Sequence, residues 1–240
     1  MEYNFKDWFK EGPSFFKVDQ EESALIIVDM QYEHAHQDYG LGARLKKKNP
    51  KVGEYYFNRI KNIVIPNLKK LLQFFRERRL NIIYLTFGPE HSSTKDLYSL
   101  GKVEDIKNYK KYGERTFYPK GHFVSSVIEE VKPEKDDLVI NKLSSGAFAT
   151  SNIDAVLRNM DIKTLFFTGT ATNMCVESTL RGAADRGYNC IIIDDACATF
   201  DQDTHDVTIR IVSQIYGKSK KTREVIDDFP WKCYELQIKK

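Results

Sequence analysis

Short apolar runs alternate along this chain with longer stretches whose apolar positions recur at helical spacing. Ala24-Leu25-Ile26-Ile27-Val28 comes first and predicts a buried strand ending at Asp29. Between Ile60 and Arg79, positions 60, 63, 64, 68, 71, 72 and 75 are apolar, which predicts an amphipathic helix despite Pro66. Asn81 to Thr86 predicts a second strand. Residues 88–136 are rich in Gly, Pro, Tyr and charge with weak periodicity, and predict an excursion of loops and short helices, of the kind that forms lids or contact surfaces. The alternation then resumes. Asp137 to Asn141, Thr164 to Thr168, Asn189 to Ile193 and Glu224 to Ile226 predict strands, with helices near 151–160, after Cys175, and near 204–216. Six strands interleaved with helices predict an α/β, three-layer α-β-α domain spanning 1–240. Its sheet is mainly parallel, six-stranded and doubly wound. In such a sheet, ligand sites lie at the carboxyl ends of the strands.

Composition changes this picture little. The chain has 240 residues, 41% of them hydrophobic and 30% charged, as expected of a globular protein. With 37 basic and 34 acidic residues, the net charge of +3 is too balanced for nucleic acid or a membrane surface to be the main partner. Lys46-Lys47-Lys48 and the group Lys218, Lys220 and Lys221 read as solvated loops. No apolar run approaches the ~20 residues of a membrane span. Met1 to Asp7 shows no signal-peptide core. Cys175, Cys190, Cys197 and Cys233 have neither C-x-x-C spacing nor a disulfide framework, so a reducing cytoplasm is expected.

Three strand ends carry chemistry. Cys175 lies in Gly169-Thr170-Ala171-Thr172-Asn173-Met174-Cys175-Val176-Glu177, between a strand and a helix that Thr172 or Asn173 could cap. A helix start stabilises a thiolate, so a lowered thiol pKa is expected there. Free cysteines are nonetheless mostly small buried hydrophobes, and position alone does not make a nucleophile. Asp29 ends the first strand. A carboxylate there is expensive to desolvate unless it caps a turn or has a partner. Lys142 ends the strand before Leu143-Ser144-Ser145-Gly146-Ala147-Phe148, where an exposed loop lysine is the ordinary alternative. An acid, a cation and a thiol on three parallel strand ends share one edge of the sheet.

These segments resemble the isochorismatase-like cysteine hydrolases. The likeness runs from about Ala24 to Ile226 and rests on four motifs. They are Ile27-Val28-Asp29-Met30-Gln31, Asn141-Lys142 before Ser145-Gly146-Ala147-Phe148, Gly169 to Thr179, and Asp194-Asp195-Ala196-Cys197-Ala198. The resemblance implies an amidohydrolase acting on carbon–nitrogen bonds other than peptide bonds, with Asp29, Lys142 and Cys175 as its catalytic triad. It implies an oxyanion hole at Thr170, Ala171 and Cys175, with a non-proline cis peptide at Thr170-Ala171. It also implies no cofactor and no metal, and a homo-oligomer, dimer or tetramer. The excursion and the aromatic tail around Phe229, Trp231 and Tyr234 are candidates for its interface.

Within that superfamily, Cys175 argues against vinyl-ether hydrolysis. Nicotinamidases carry a metal-binding Asp-x-His after the second strand, where this chain has Phe87-Gly88-Pro89-Glu90-His91. Asp203-Thr204-His205 has that spelling at a predicted helix start, where capping is its expected job. His34-x-His36 would splay two ligands apart on a helix, so no metal is expected there. The Thr172 to Thr179 string most resembles enzymes of ureides and carbamoyl amides. Biuret, ureidoacrylate or an N-carbamoyl amino acid is therefore the implied small-molecule substrate. A ring carboxamide, or a catalytically inactive binding protein, is the alternative. Gln31, His34, Arg115, Phe117 and Tyr118 are the expected pocket wall.

Overall fold

Six parallel strands form one sheet in the order β3-β2-β1-β4-β5-β6 in the computed structural model, which describes residues 16, 18–113 and 115–229. The strands are β1 (Ser23–Val28), β2 (Asn81–Phe87), β3 (Leu138–Lys142), β4 (Thr164–Thr170), β5 (Asn189–Ala198) and β6 (Lys218–Lys220). Because side chains alternate across a strand, neighbouring residues serve opposite cores. Leu25 and Ile27 join Ile82, Tyr84, Phe166 and Ile191 on one face. Ala24, Ile26 and Val28 join Ile83, Leu85, Phe167 and Ile192 on the other. Both faces are covered, so the central strands read as unbroken apolar runs.

Short helices α1 (Tyr32–Ala35) and α2 (Gly40–Lys48) follow β1. They lead into α3 (Pro50–Arg59), a π-turn at Ile60–Val64, and α4 (Ile65–Glu77). The expected amphipathic helix is thus real but begins ten residues before Ile60. Its π-turn rotates the apolar stripe, leaving Ile63 exposed while Ile60, Val64, Leu68, Leu71, Leu72 and Phe75 are buried. On the opposite face lie α6 (Ala147–Thr150), α7 (Ile153–Asn159), α8 (Glu177–Ala184) and α9 (Gln202–Ile211), the last continued by a π-turn at Val212–Tyr216. The 88–136 excursion holds one substantial helix, α5 (Ser99–Tyr112), and two single 3₁₀ turns. Leu100, Val103, Ile106 and Tyr109 of α5 are exposed.

The predicted strand at Glu224 to Ile226 is instead α10 (Thr222–Asp228), and the sixth strand is the preceding Lys218–Lys220. Asp195 accepts from the Thr222 backbone N–H and hydroxyl, and Glu224 from the Lys221 N–H, which starts a helix where a three-residue apolar run suggested extension. Lys218 and Lys220 therefore sit on an edge strand paired with Ile191 to Ile193, not in a loop. Phe229 packs edge-on against Phe74 and Phe166 and so helps to close the core. Trp231 and Tyr234 lie outside the described residues, as do Cys233 and Met1 to Asp7. Among the described residues, no helix is long and apolar enough to cross a membrane.

The strand order reverses between β1 and β4. At such a switch point, connections leave in opposite directions and open a crevice at the carboxyl ends. Asp29 and Thr170 stand there.

Candidate active site

Asp29 follows β1 with φ of 51°, a left-handed conformation that aspartate tolerates better than most side chains. Two neighbours hold it: its N–H donates to Leu85 O at 2.9 Å, and Thr170 Oγ1 donates to its carbonyl at 3.2 Å. On β4, Gly169 has φ of 105°, and a Cβ there would lie 2.0 Å from Val28 O. Only glycine lets β4 run this close to β1.

Lys142 stands two strands from Asp29, at the end of β3. Its ammonium passes over the Phe87 ring, 4.8 Å from the centroid, and donates to Asp29 Oδ2 at 2.8 Å and to Ser144 O at 3.2 Å. Asp29 and Lys142 are 1% and 0% exposed, so neither is a turn cap or a loop lysine. Burial opposes the lysine's charge, but Asp29 and Cys175 outweigh it and hold its pKa above the usual lysine range. The second aspartate oxygen, Oδ1, is buried without a hydrogen-bond partner.

Cys175 sits in a π-turn, Thr172–Val176, that leads into α8. Burial first, and the Asp29 charge second, push its thiol up to about 12, with Lys142 and the Ser145 hydroxyl acting in the opposite sense. The expected depression by the helix start is therefore reversed, because desolvation penalises the thiolate more than the dipole favours it. Neither Thr172 nor Asn173 caps the helix by its side chain. Thr172 Oγ1 pairs with His205 Nδ1 at 2.9 Å, and Asn173 Oδ1 accepts from Thr199 at 2.6 Å. His205 in turn meets Asp194 at 2.7 Å, on a stretch of β5 that bulges out of register with β4. These bonds strap the thiol's turn to β5 and α9. Asp201 rather than Asp203 caps α9, and His205 is fully buried, so Asp203-Thr204-His205 supplies a strut and not the cap. The peptide Thr170-Ala171, just ahead of this turn, is cis.

Asp29, Thr170, Ala171 and Cys175 line a cavity of about 220 Å³. Two of the five expected wall residues line it as well: His34 and Phe117. Gln31 does not. It is 0% exposed, and its amide donates to Phe87 O and Ser125 O while accepting from Phe87 N–H, which ties the excursion to β2. Arg115 lies at a separate surface hollow beside α5, donating to Ser92 O. Tyr118 stacks on His122, and its N–H donates to Glu33 Oε2 at 3.0 Å. His34 and His36 part as expected, His36 lining a different hollow. Among the described residues, no group of three or more His, Cys, Asp or Glu side chains converges as metal ligands.

Sequence reasoning missed Arg44, Tyr56, Tyr98, Glu104 and Met174, which also line the wall. Arg44 stands two residues from an exposed lysine run whose solvated character hid it. Tyr56 belongs to the part of the α3–α4 helix that lies before Ile60. Two further buried groups flank the cavity. Glu33 is pushed well above the usual carboxylate range by burial. Burial likewise lowers His34 to about 4, so its ring is neutral. Glu33 Oε1 and His34 Nε2 face each other at 3.4 Å and have no other partner.

A doubly wound parallel sheet with a thiol, an acid and a cation on one edge defines a class of α/β proteins with cysteine-centred sites. The chain belongs to the isochorismatase family: residues 23–224 match the isochorismatase domain. It is 26% identical over 232 residues to a ureidoacrylate amidohydrolase, RutB, of Acinetobacter baylyi, covering 92% of this chain and 89% of that one. The RutB of Pseudomonas savastanoi pv. phaseolicola is 30% identical over 197 residues, 77% of this chain and 74% of that one. A cysteine hydrolase from Pseudomonas syringae pv. phaseolicola shares the fold with a TM-score of 0.70 at 23% identity, over 89% of this chain and 95% of that one.

Proposed function

We propose that the protein hydrolyses a linear amide C–N bond of a small ureide or carbamoyl amide, with Cys175 as nucleophile, Asp29 as proton carrier and Lys142 as their fixed cation. The broader activity, hydrolysis of carbon–nitrogen bonds other than peptide bonds, accords with its kinship to ureidoacrylate amidohydrolases. One observation carries the reading. A buried carboxylate oxygen without a hydrogen-bond partner lies beside a half-buried thiol, while its twin is held by lysine.

The thiol is protonated at rest and needs a base at the moment of attack. Asp29 Oδ1 takes the proton as Sγ bonds to the substrate carbonyl carbon, and Lys142 offsets the charge moving between them. Backbone N–H groups at Ala171 and Cys175 receive the developing oxyanion. Asp29 passes the proton to the leaving nitrogen as the C–N bond breaks, releasing an amine or ammonia and leaving an acyl-enzyme thioester. Water then gives a proton to Asp29 and its oxygen to the carbonyl carbon. The C–S bond breaks, and the proton returns to Sγ.

Ammonia release across biuret, ureidoacrylate, N-carbamoyl amino acids and nicotinamide identifies the substrate. On that substrate, Cys175→Ala lowers kcat by roughly 10⁴-fold or more, as removal of a covalent nucleophile does, with unchanged far-UV circular dichroism. Retained turnover in Cys175→Ala would sink the mechanism. Turnover of nicotinamide alone would move the substrate to a ring carboxamide.

A further inference from the structure

Arg44 is the one permanent cation that reaches the cavity wall among the described residues. It is 8% exposed, yet among the described residues its only hydrogen bond is from Nη1 to the Arg115 carbonyl, at 3.3 Å. Burying a guanidinium with so little compensation is unfavourable, and burial lowers its pKa accordingly. No acid among the described residues comes within ion-pair distance of it.

The nearby acids are otherwise engaged. Burial pushes the Glu33 carboxyl well above its usual range, and its Oε2 accepts from Tyr118 N–H. Asp105 Oδ1 accepts from the N–H groups of Thr116 and Phe117, at 2.7 and 3.2 Å. Glu104 also lines the cavity, but it is exposed, and water screens its charge. His34 is neutral and adds no competing cation. Lys142, the other buried cation, is committed to Asp29. A planar fork with N–H groups to spare, on the wall of a small cavity, matches a carboxylate. The cavity, at about 220 Å³, falls below the roughly 300–1,000 Å³ of sites for drug-sized ligands. It suits a compact molecule held at both ends.

We infer that Arg44 binds a carboxylate of the substrate, so that the cavity selects acid-bearing ureides such as N-carbamoyl amino acids or ureidoacrylate over neutral ones such as biuret. This rests on the hydrolase reading above and narrows its substrate class. Arg44 is a binding residue on the wall of the cavity that Cys175 also lines. Its contact persists from bound substrate to transition state, so its loss falls on KM more than on kcat.

The experiment pairs each acid (N-carbamoylglycine, N-carbamoyl-β-alanine and ureidoacrylate) with its primary amide, a neutral molecule of nearly the same shape. The wild-type enzyme turns over the best acid with a kcat/KM roughly 10- to 100-fold above its amide, the range set by one charge-assisted hydrogen-bonded contact. Arg44→Gln collapses that ratio toward one, mainly through KM, and Arg44→Lys restores part of it. Equal losses for acid and amide in Arg44→Gln, or a wild-type preference for the amides, would overturn the inference. A second measurement needs no turnover. Titration of Cys175→Ala protein with the same pairs, followed by calorimetry, shows tighter acid binding that Arg44→Gln abolishes in that background. Arg44-dependent acid binding by a wild-type protein that hydrolyses none of the panel leaves the anion site standing and removes the hydrolase reading. Equal binding of acid and amide removes the anion site.

Discussion

At Cys175, two influences compete, and the residue's surroundings decide between them. A helix start favours the thiolate, while burial and the charge of Asp29 favour the thiol, and the second pair wins. The site therefore stores a thiol and a base rather than a finished nucleophile. A sign follows for Asp29→Asn. It removes the second-largest cause of the upward shift and leaves Lys142 to stabilise a thiolate, so the Cys175 pKa falls from about 12. Iodoacetamide then labels Cys175 faster near neutral pH than in the wild type. Turnover meanwhile falls by roughly 10²–10⁴-fold, the usual contribution of a general base. Peptide mapping distinguishes Cys175 from the buried Cys190 and Cys197, whose thiols burial also raises. Slower labelling in Asp29→Asn would show that Asp29 does not hold the thiol protonated. The positions of Asp29, Lys142 and Cys175 were legible in the sequence because Asp29 follows a strand, Lys142 ends one, and Cys175 sits in the turn that joins a strand to a helix. Their pKa values were not, because desolvation depends on what the other strands bring over them.

Among the elements, the sequence pattern succeeds where an apolar run is long and fails where it is short. β1, β2 and β4 are central strands with every core position filled, and their runs locate them. The three residues Glu224 to Ile226 fit a strand or a helix equally. Asp195, distant in sequence, decides by accepting from Thr222. Gln31 shows the same dependence. Its place after Asp29 suggested the pocket wall, but its amide makes three hydrogen bonds that tie β2 and the 3₁₀ turn Phe123–Ser125 to the end of β1. Through this strap, the excursion that supplies Tyr98, Glu104 and Phe117 is fixed over the cavity. Gln31→Ala should destabilise the protein by roughly 2–4 kcal/mol, since each buried backbone group left unpaired costs about 1–3 kcal/mol. Urea midpoints at unchanged m-value measure the loss. A change within about 0.5 kcal/mol, typical of surface positions, would mean the excursion is anchored elsewhere.

Across the whole molecule, the site exists because the strand order reverses between β1 and β4, and that much the alternation of elements implies. Much of the cavity wall comes from α2, α3 and α5, whose sequences carry no motif. That is why Arg44 and Tyr56 escaped notice while Asp29, Lys142 and Cys175 did not. Beside the same cavity, Glu33 and His34 titrate with opposite signs. His34 has a folded pKa of about 4 against an ordinary 6.5, so the unfolded chain binds a proton that the folded one refuses. Stability from His34 is present above pH 6.5 and is lost as pH falls from 6.5 to about 4. The loss amounts to at most on the order of 3 kcal/mol, reduced because the ring keeps 19% exposure. Glu33 has the opposite sign. Its folded pKa is raised, so its contribution is present below 4.5 and is lost as pH rises through the folded value. Acidification thus strains the histidine while it relieves the glutamate, and the two partly cancel in the wild type. His34→Asn removes only the first. Its stability relative to the wild type, taken from urea midpoints, should rise steadily as pH falls from 6.5 to 4 and stay constant above 7. A difference that does not vary with pH would show that His34 takes up its proton as readily in the folded protein as in the unfolded chain.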